Sequence, residues 1–238
     1  MTLGLMDLGF LGAAGGERDP SFSSVSLLLH GNGTNGNTTI ADNSPSPKTV
    51  TAVGNAQIST AQSKFGGASI AFDGSGDYLS VPSNSAFAFP GDFSVEAWVY
   101  LTSALSGSNG AYLADFRNAS ASNQGFALGF IGSSGATRVY AASVFGSVVD
   151  VIGSSTVSLN QWNFVSYIRS ESTLTMRLNG SSQGTLSSSA SQGNAPLIIG
   201  ARFTGTTEYL AGYADDLRIT KGVARDGSVV PTAPFPDS

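Results

Sequence analysis

Cysteine is absent from all 238 residues, which excludes a disulfide-stapled scaffold and thiolate metal sites. Charge is also scarce, at 11% of residues with a net value of −5. The 11 Lys and Arg are scattered singly, so there is no basic stripe to follow a phosphate backbone, and nucleic acid is not an expected partner. No apolar run reaches 18 residues, so no membrane-spanning helix and no membrane partner are expected. A single histidine, His30, ends an apolar run beside a glycine loop. With no Gly-x-Ser-x-Gly motif near it, a Ser-His-Asp triad is not expected. A helical period is missing as well.

What is present is glycine, 30 residues of it, with abundant Ser, Thr and Asn. Such residues supply the positive φ and local hydrogen bonds of tight turns. Between these clusters stand short runs of strand character, among them Val25 to His30, Phe93 to Leu101, Phe126 to Ile131, Trp162 to Arg169 and Tyr213 to Thr220. Leu174, Met176 and Leu178 alternate with Thr175 and Arg177, and Asn179-Gly180 follows at once, the pattern of a two-residue hairpin. The segment Gly31 to Gly36 matches Gly-x-Gly-x-x-Gly but opens no helix, which is what a bound pyrophosphate needs. About ten short strands in a chain of this length predict one all-β antiparallel sandwich.

The two ends differ from the middle. Residues 1–24 interleave Leu3, Leu5, Met6, Leu8, Phe10 and Leu11 with glycines before a polar break. The glycines oppose a lone helix, and exposed apolar side chains call for a surface to dock on. The segment reads as an extended arm that docks on a partner, or as a loose terminus or added strand. It has no positive leading region and carries Asp7 within the apolar stretch, so it is not expected to act as an export signal. Residues 25–225 make the sandwich. Residues 226–238 form a Pro-rich tail, extended because proline cannot donate to a sheet.

In Gly212 to Arg225 the alternation places Leu217 and Ile219 on one face and Asp216, Arg218 and Thr220 on the other. Asp215 then falls on the apolar side with Leu217, where a carboxylate needs N–H donors or a cation. Structural bonding to backbone N–H groups and calcium ligation both remain open, with Asp73, Asp77, Asp215 and Asp216 as the candidate ligands. Asp73 and Asp77 are also placed to cap loop amides.

Several of these segments, taken in order, resemble the concanavalin A-like or laminin-G-like jelly roll in the form common in proteins of tailed bacteriophages. They are Lys64 to Gly74 with Asp77-Tyr78-Leu79, Phe93 to Val99, Trp162 to Val165, Leu178-Asn179-Gly180, Leu197 to Gly200 and Leu210 to Arg225. The resemblance implies a non-enzymatic virion protein, a capsid decoration or cement subunit or a tail-associated one, attached to a capsid or tail protein through the arm. Its localisation would be the phage particle surface, with homo-oligomers as an option. The alternative is a carbohydrate-binding module for host glycan, with Trp98, Trp162, Tyr112 and Tyr140 as stacking platforms; for the two tryptophans, packing within the sandwich is the competing role. Hydrolase activity ranks last. Glucanases of this fold set two glutamates around an aspartate, and of Glu17, Glu96, Glu171 and Glu208 only Glu17 has an aspartate two residues on, Asp19, with Ser21 rather than a second glutamate beyond it.

Overall fold

The computed structural model describes residues 18–117, 124–145, 148–203, 205 and 207–238. The strands in chain order are β1 (Val25–Leu29), β2 (Thr51–Val53), β3 (Gln57–Ser59), β4 (Ser69–Asp73), β5 (Tyr78–Asn84), β6 (Phe93–Leu101), β7 (Gly110–Asp115) and β8 (Gln124–Ser133). They continue with β9 (Ala136–Phe145), β10 (Val148–Thr156), β11 (Trp162–Ser170), β12 (Thr173–Leu178), β13 (Ser181–Ser187), β14 (Ala195–Ile199) and β15 (Ala211–Lys221). All pair antiparallel, in two sheets. The larger runs β13-β12-β11-β6-β15-β4-β3, with β1 also on β15, and the smaller runs β10-β9-β8-β7-β14-β5-β2. This is the expected jelly-roll sandwich.

Strand β6 shows why the sheets stack. Phe93, Val95, Ala97, Val99 and Leu101 all enter the main core, while Ser94, Glu96, Trp98 and Tyr100 alternate to the outer face. From the smaller sheet, Leu113, Phe126, Leu128, Phe130 and Leu197 meet them. Phe93 stacks on Phe126 with centroids 4.6 Å apart. The Asn179-Gly180 hairpin forms as read, with both residues at positive φ (48° and 80°), the requirement of a type I′ turn.

Strand β15 departs from simple alternation. Asp216 sits at φ 51°, and the register against β6 shifts between Asp215 and Arg218, so one residue is inserted as a bulge. The first half of β15 pairs with β4 and the second half with β1. The bulge overturns the facing of Asp215 expected from the sequence. Asp215 lies directly opposite Trp98, on the outer face, whereas Leu217 points into the core.

The described part of the arm, residues 18–24, is tied to the sandwich rather than apart from it. The Asp19 N–H donates to the Ser238 carbonyl at 3.0 Å. The proline-rich tail is strand-free, and it packs on the sheet through Phe235. The residues expected from the sequence to dock on a partner, Leu3, Leu5, Met6, Leu8, Phe10 and Leu11, lie outside the described residues.

Candidate functional site

The outer face of the larger sheet divides into a covered half and an open half. In the covered half Trp98 is only 4% exposed. Phe65 meets its ring edge-on at 6.2 Å, Phe164 packs at 5.4 Å, and the Lys64 ammonium stands 3.7 Å from the ring centre. Phe235 closes the same cluster from the tail. Asp215 anchors this cover, because its Oδ2 accepts the N–H groups of Lys64 (2.8 Å) and Phe65 (3.1 Å). Burial pushes the Asp215 carboxyl up to about 7.

Next along β6 lies a buried charge network. Arg218 donates to Glu96 Oε2 from Nε (3.0 Å) and Nη2 (2.8 Å), and to Asp19 Oδ2 from Nη1 (3.3 Å). Arg225 donates to both Asp19 oxygens, at 3.0 and 2.6 Å. The Arg218 guanidinium also lies 3.6 Å from the Phe235 ring centre. Burial raises the Glu96 pKa against the pull of Arg218. Burial acts the same way on Asp19, but there the bonds from Arg225 and Ser21 prevail and hold the carboxyl below its ordinary value. Glu96 is thus a structural acid. His30 Nδ1 meets Asp216 Oδ1 at 2.7 Å, and Asp216 Oδ2 accepts the Phe235 N–H at 2.8 Å, so this pair pins the tail.

The open half carries a row of three partly exposed aromatics. Trp162 lies opposite Tyr100, and Tyr100 opposite Tyr213. Their ring centres are 5.6 and 5.8 Å apart and neighbouring rings stand edge-to-face, at 65° and 80°. The row continues across the sheet, Tyr213 opposite Ala71 and Ala71 opposite Gln57. There a cavity of about 420 Å³ opens, lined by Asn55, Gln57, Asp73, Asp77, Thr102 and Tyr213. Gly212 makes the close approach possible. It has φ 146°, and a Cβ at this position would run into the Tyr100 carbonyl.

Asp73 and Asp77 shape the turn beside this cavity. Asp77 accepts the N–H groups of Asn55 (2.5 Å) and Asp73 (2.9 Å), and Asp73 accepts those of Ser75 (2.7 Å) and the Asn55 side chain (3.3 Å). This is the amide-capping role expected for them. The four candidate calcium ligands fall into separate pairs on the β4–β5 turn and on β15. Apart from Asp215 Oδ1, which is buried without a hydrogen-bond partner, their oxygens face N–H donors or His30, and no group of three His, Cys, Asp or Glu gathers among the described residues. The residues present do not fit calcium, which needs six to eight oxygens.

Of the four predicted platforms, only Trp162 offers surface. Trp98 is roofed. Tyr112 and Tyr140 do come together, edge-to-face at 6.1 Å, but on the outer face of the smaller sheet and only 5% and 8% exposed. The Arg117 guanidinium lies 4.7 Å above the Tyr112 ring, and burial raises the pKa of both phenols. A sugar would have no free face to stack on. Tyr100 and Tyr213, which complete the row, were not singled out from the sequence. The signal for them is their place at outward positions of the two strands flanking one another.

A family model described as the concanavalin A-like lectin/glucanases superfamily matches residues 73–229, more than half of the chain. No curated protein sequence matches. Among solved structures, domain 4 of AbnA, a GH43 extracellular arabinanase from Geobacillus stearothermophilus in complex with arabinotriose, superposes with a TM-score of 0.62. The identity is 16%, over 86% of this chain and 96% of that one. Botulinum neurotoxin type C, whose cell entry depends on interaction with two ganglioside molecules, gives 0.64 at 15% identity, over 87% of this chain and 50% of that one. The binding domain of botulinum neurotoxin DC in complex with SialylT gives 0.63 at 17% identity, over 87% and 49%. The chain therefore spans about half the length of these toxin chains, and identities this low establish the fold alone. By the family model, the chain belongs to the concanavalin A-like lectin/glucanases superfamily.

Proposed function

We propose that this protein is a non-catalytic carbohydrate-binding module that holds glycan on the open half of its larger sheet. The observation that carries the reading is the Trp162–Tyr100–Tyr213 row running into a polar cavity. Aromatic faces stack on the C–H surface of a sugar, while amide and carboxyl groups beside them take its hydroxyls. The structures solved with arabinotriose and with SialylT support the reading by likeness of fold.

The acidic residues favour binding over turnover. Glu96 is consumed by Arg218, Glu208 is paired with Arg202 at 3.0 Å, and Asp77 is tied to backbone N–H groups through both oxygens. A glycosidase needs two carboxyl groups free to act as acid and as nucleophile or base. The test is a glycan array probed with the intact chain and with Trp162→Ala and Tyr213→Ala. Binding above background that both variants lose is the expected result. Absence of any bound glycan sinks the proposal.

From the sequence resemblance to tailed-phage proteins we further propose that such a module sits on a virion surface, attached through residues 1–24 to a capsid or tail protein. One feature favours this setting: Asp19, where the arm joins the sandwich, is clamped by Arg218, Arg225 and the Ser238 carbonyl, so a pull on the arm is borne by the sheet. Deleting residues 1–17 should abolish association with particles and leave glycan binding intact. Particle association that survives the deletion excludes this attachment.

A further inference from the structure

We infer that the site takes a neutral, extended glycan chain lying across the strands, about one sugar per strand, and discriminates against acidic chains. The inference rests on the carbohydrate-binding reading and narrows its ligand.

Direction comes from the register. Trp162, Tyr100, Tyr213, Ala71 and Gln57 are successive lateral neighbours on β11, β6, β15, β4 and β3. Strands lie about 4.8 Å apart, close to the advance of one pyranose in an extended chain, so sugars and strands stay in step along the row. Neighbouring rings cross at 65° and 80°, so a flat chain can lie face-on on alternate rings only. On this inference Trp162 and Tyr213, two strands apart, are the platforms, and Tyr100 between them is the spacer. A chain whose alternate residues present the same face, as in a β-1,4-linked polymer, satisfies both conditions. A compact branched glycan does not.

Charge comes from the cavity at the Tyr213 end. Among the described residues its lining contains two carboxyl groups, Asp73 and Asp77, and no Lys, Arg or His. Asp73 is exposed. A uronic or sialic carboxylate brought there would meet like charge with no cation to offset it, whereas neutral hydroxyls find acceptors in Asp73 and Gln57 and donors in the amides of Asn55 and Gln57.

The experiment is calorimetric titration of the full chain with three sets of probes: β-1,4-gluco-oligosaccharides of one to six units, oligogalacturonates of matched length, and a branched sialylated oligosaccharide. Affinity for the neutral series should climb steeply to about four units and then level, and the acidic tetramer should bind at least about tenfold more weakly. Asp73→Asn should narrow that gap, and Tyr213→Ala should cost the neutral tetramer about tenfold, the scale of one aromatic contact. Equal or tighter binding of the acidic or the branched probe, or affinity independent of length, overturns the inference while leaving a carbohydrate-binding module standing. Failure of every probe, combined with a blank glycan array, removes the parent reading as well.

Discussion

Trp98 and Tyr100 are two residues apart on one strand and point to the same side of the same sheet, yet one is roofed and the other open. The roof over Trp98 comes from Lys64, Phe65 and Phe235, far away in sequence, and is held by the carboxyl groups of Asp215 and Asp216. Among the described residues, the rings that meet Tyr100 are its lateral neighbours Trp162 and Tyr213. Under the proposed function, the contrast separates stability from recognition on a single surface. Aromatics in the covered half act as a second core, and those in the open half remain available for a ligand.

The most severe way to break the covered half is Arg218→Ala. It leaves buried Glu96 without its hydrogen-bonded cation, with only Arg225 Nε 3.9 Å away, and frees Asp19 of one partner, which should cost about 3–5 kcal/mol. Denaturant unfolding would measure it; a loss below about 1 kcal/mol would mean that water already screens the network. Trp98→Ala is expected to rank beside it, at about 3–5 kcal/mol, while the folded fraction keeps its glycan affinity. Loss of affinity without loss of stability would transfer Trp98 to the binding surface.

A pH series sharpens the same comparison. Burial lifts the Asp215 carboxyl from 3.8 to about 7, so between those values the folded chain keeps a proton that the unfolded chain releases. Stability from this group therefore falls as pH rises from about 4 to about 7, by on the order of 4 kcal/mol, and the full penalty stands above pH 7. Glu96, also raised, acts in the same direction, and Asp19, lowered, in the opposite one. Asp215→Asn isolates the first term. Its amide oxygen can still accept from Lys64 and Phe65, so the variant should gain on the parent from about pH 4 to about pH 7 and hold that gain above it in unfolding experiments. Parallel curves would show that Asp215 titrates normally.

Much of this architecture was legible in the sequence, for local reasons. The strand character of Phe93 to Leu101 marked β6, and Asn179-Gly180 marked its hairpin, because both signals act within a few residues. Burial on the outer face was not legible. Trp98, Tyr112 and Tyr140 look as available as Trp162 until a distant loop, Arg117 or the tail is laid over them. The facing of Asp215 was misread because one inserted residue, Asp216 in the left-handed region, reverses parity for half a strand without any glycine to announce it. The aromatic row was missed for a related reason. Tyr100 and Tyr213 become a site only through the pairing of β11, β6 and β15, and pairing partners more than sixty residues apart leave no local trace.

The smallest expected effect is the most telling about the open half. Trp162 is partly exposed and touches the covered cluster only at its border, so Trp162→Ala should shift stability by about 1 kcal/mol or less. Its loss from the row should nevertheless weaken glycan binding about tenfold, the scale of one stacked aromatic. Trp162→Phe keeps a ring and should recover part of that affinity. Measured beside Trp98→Ala, the pair forms a crossed test in which one tryptophan costs folding and spares binding and the other does the reverse. If both variants lose stability alike and neither changes binding, the open half is simply an under-covered part of the core, and the two halves of the sheet face have the same role.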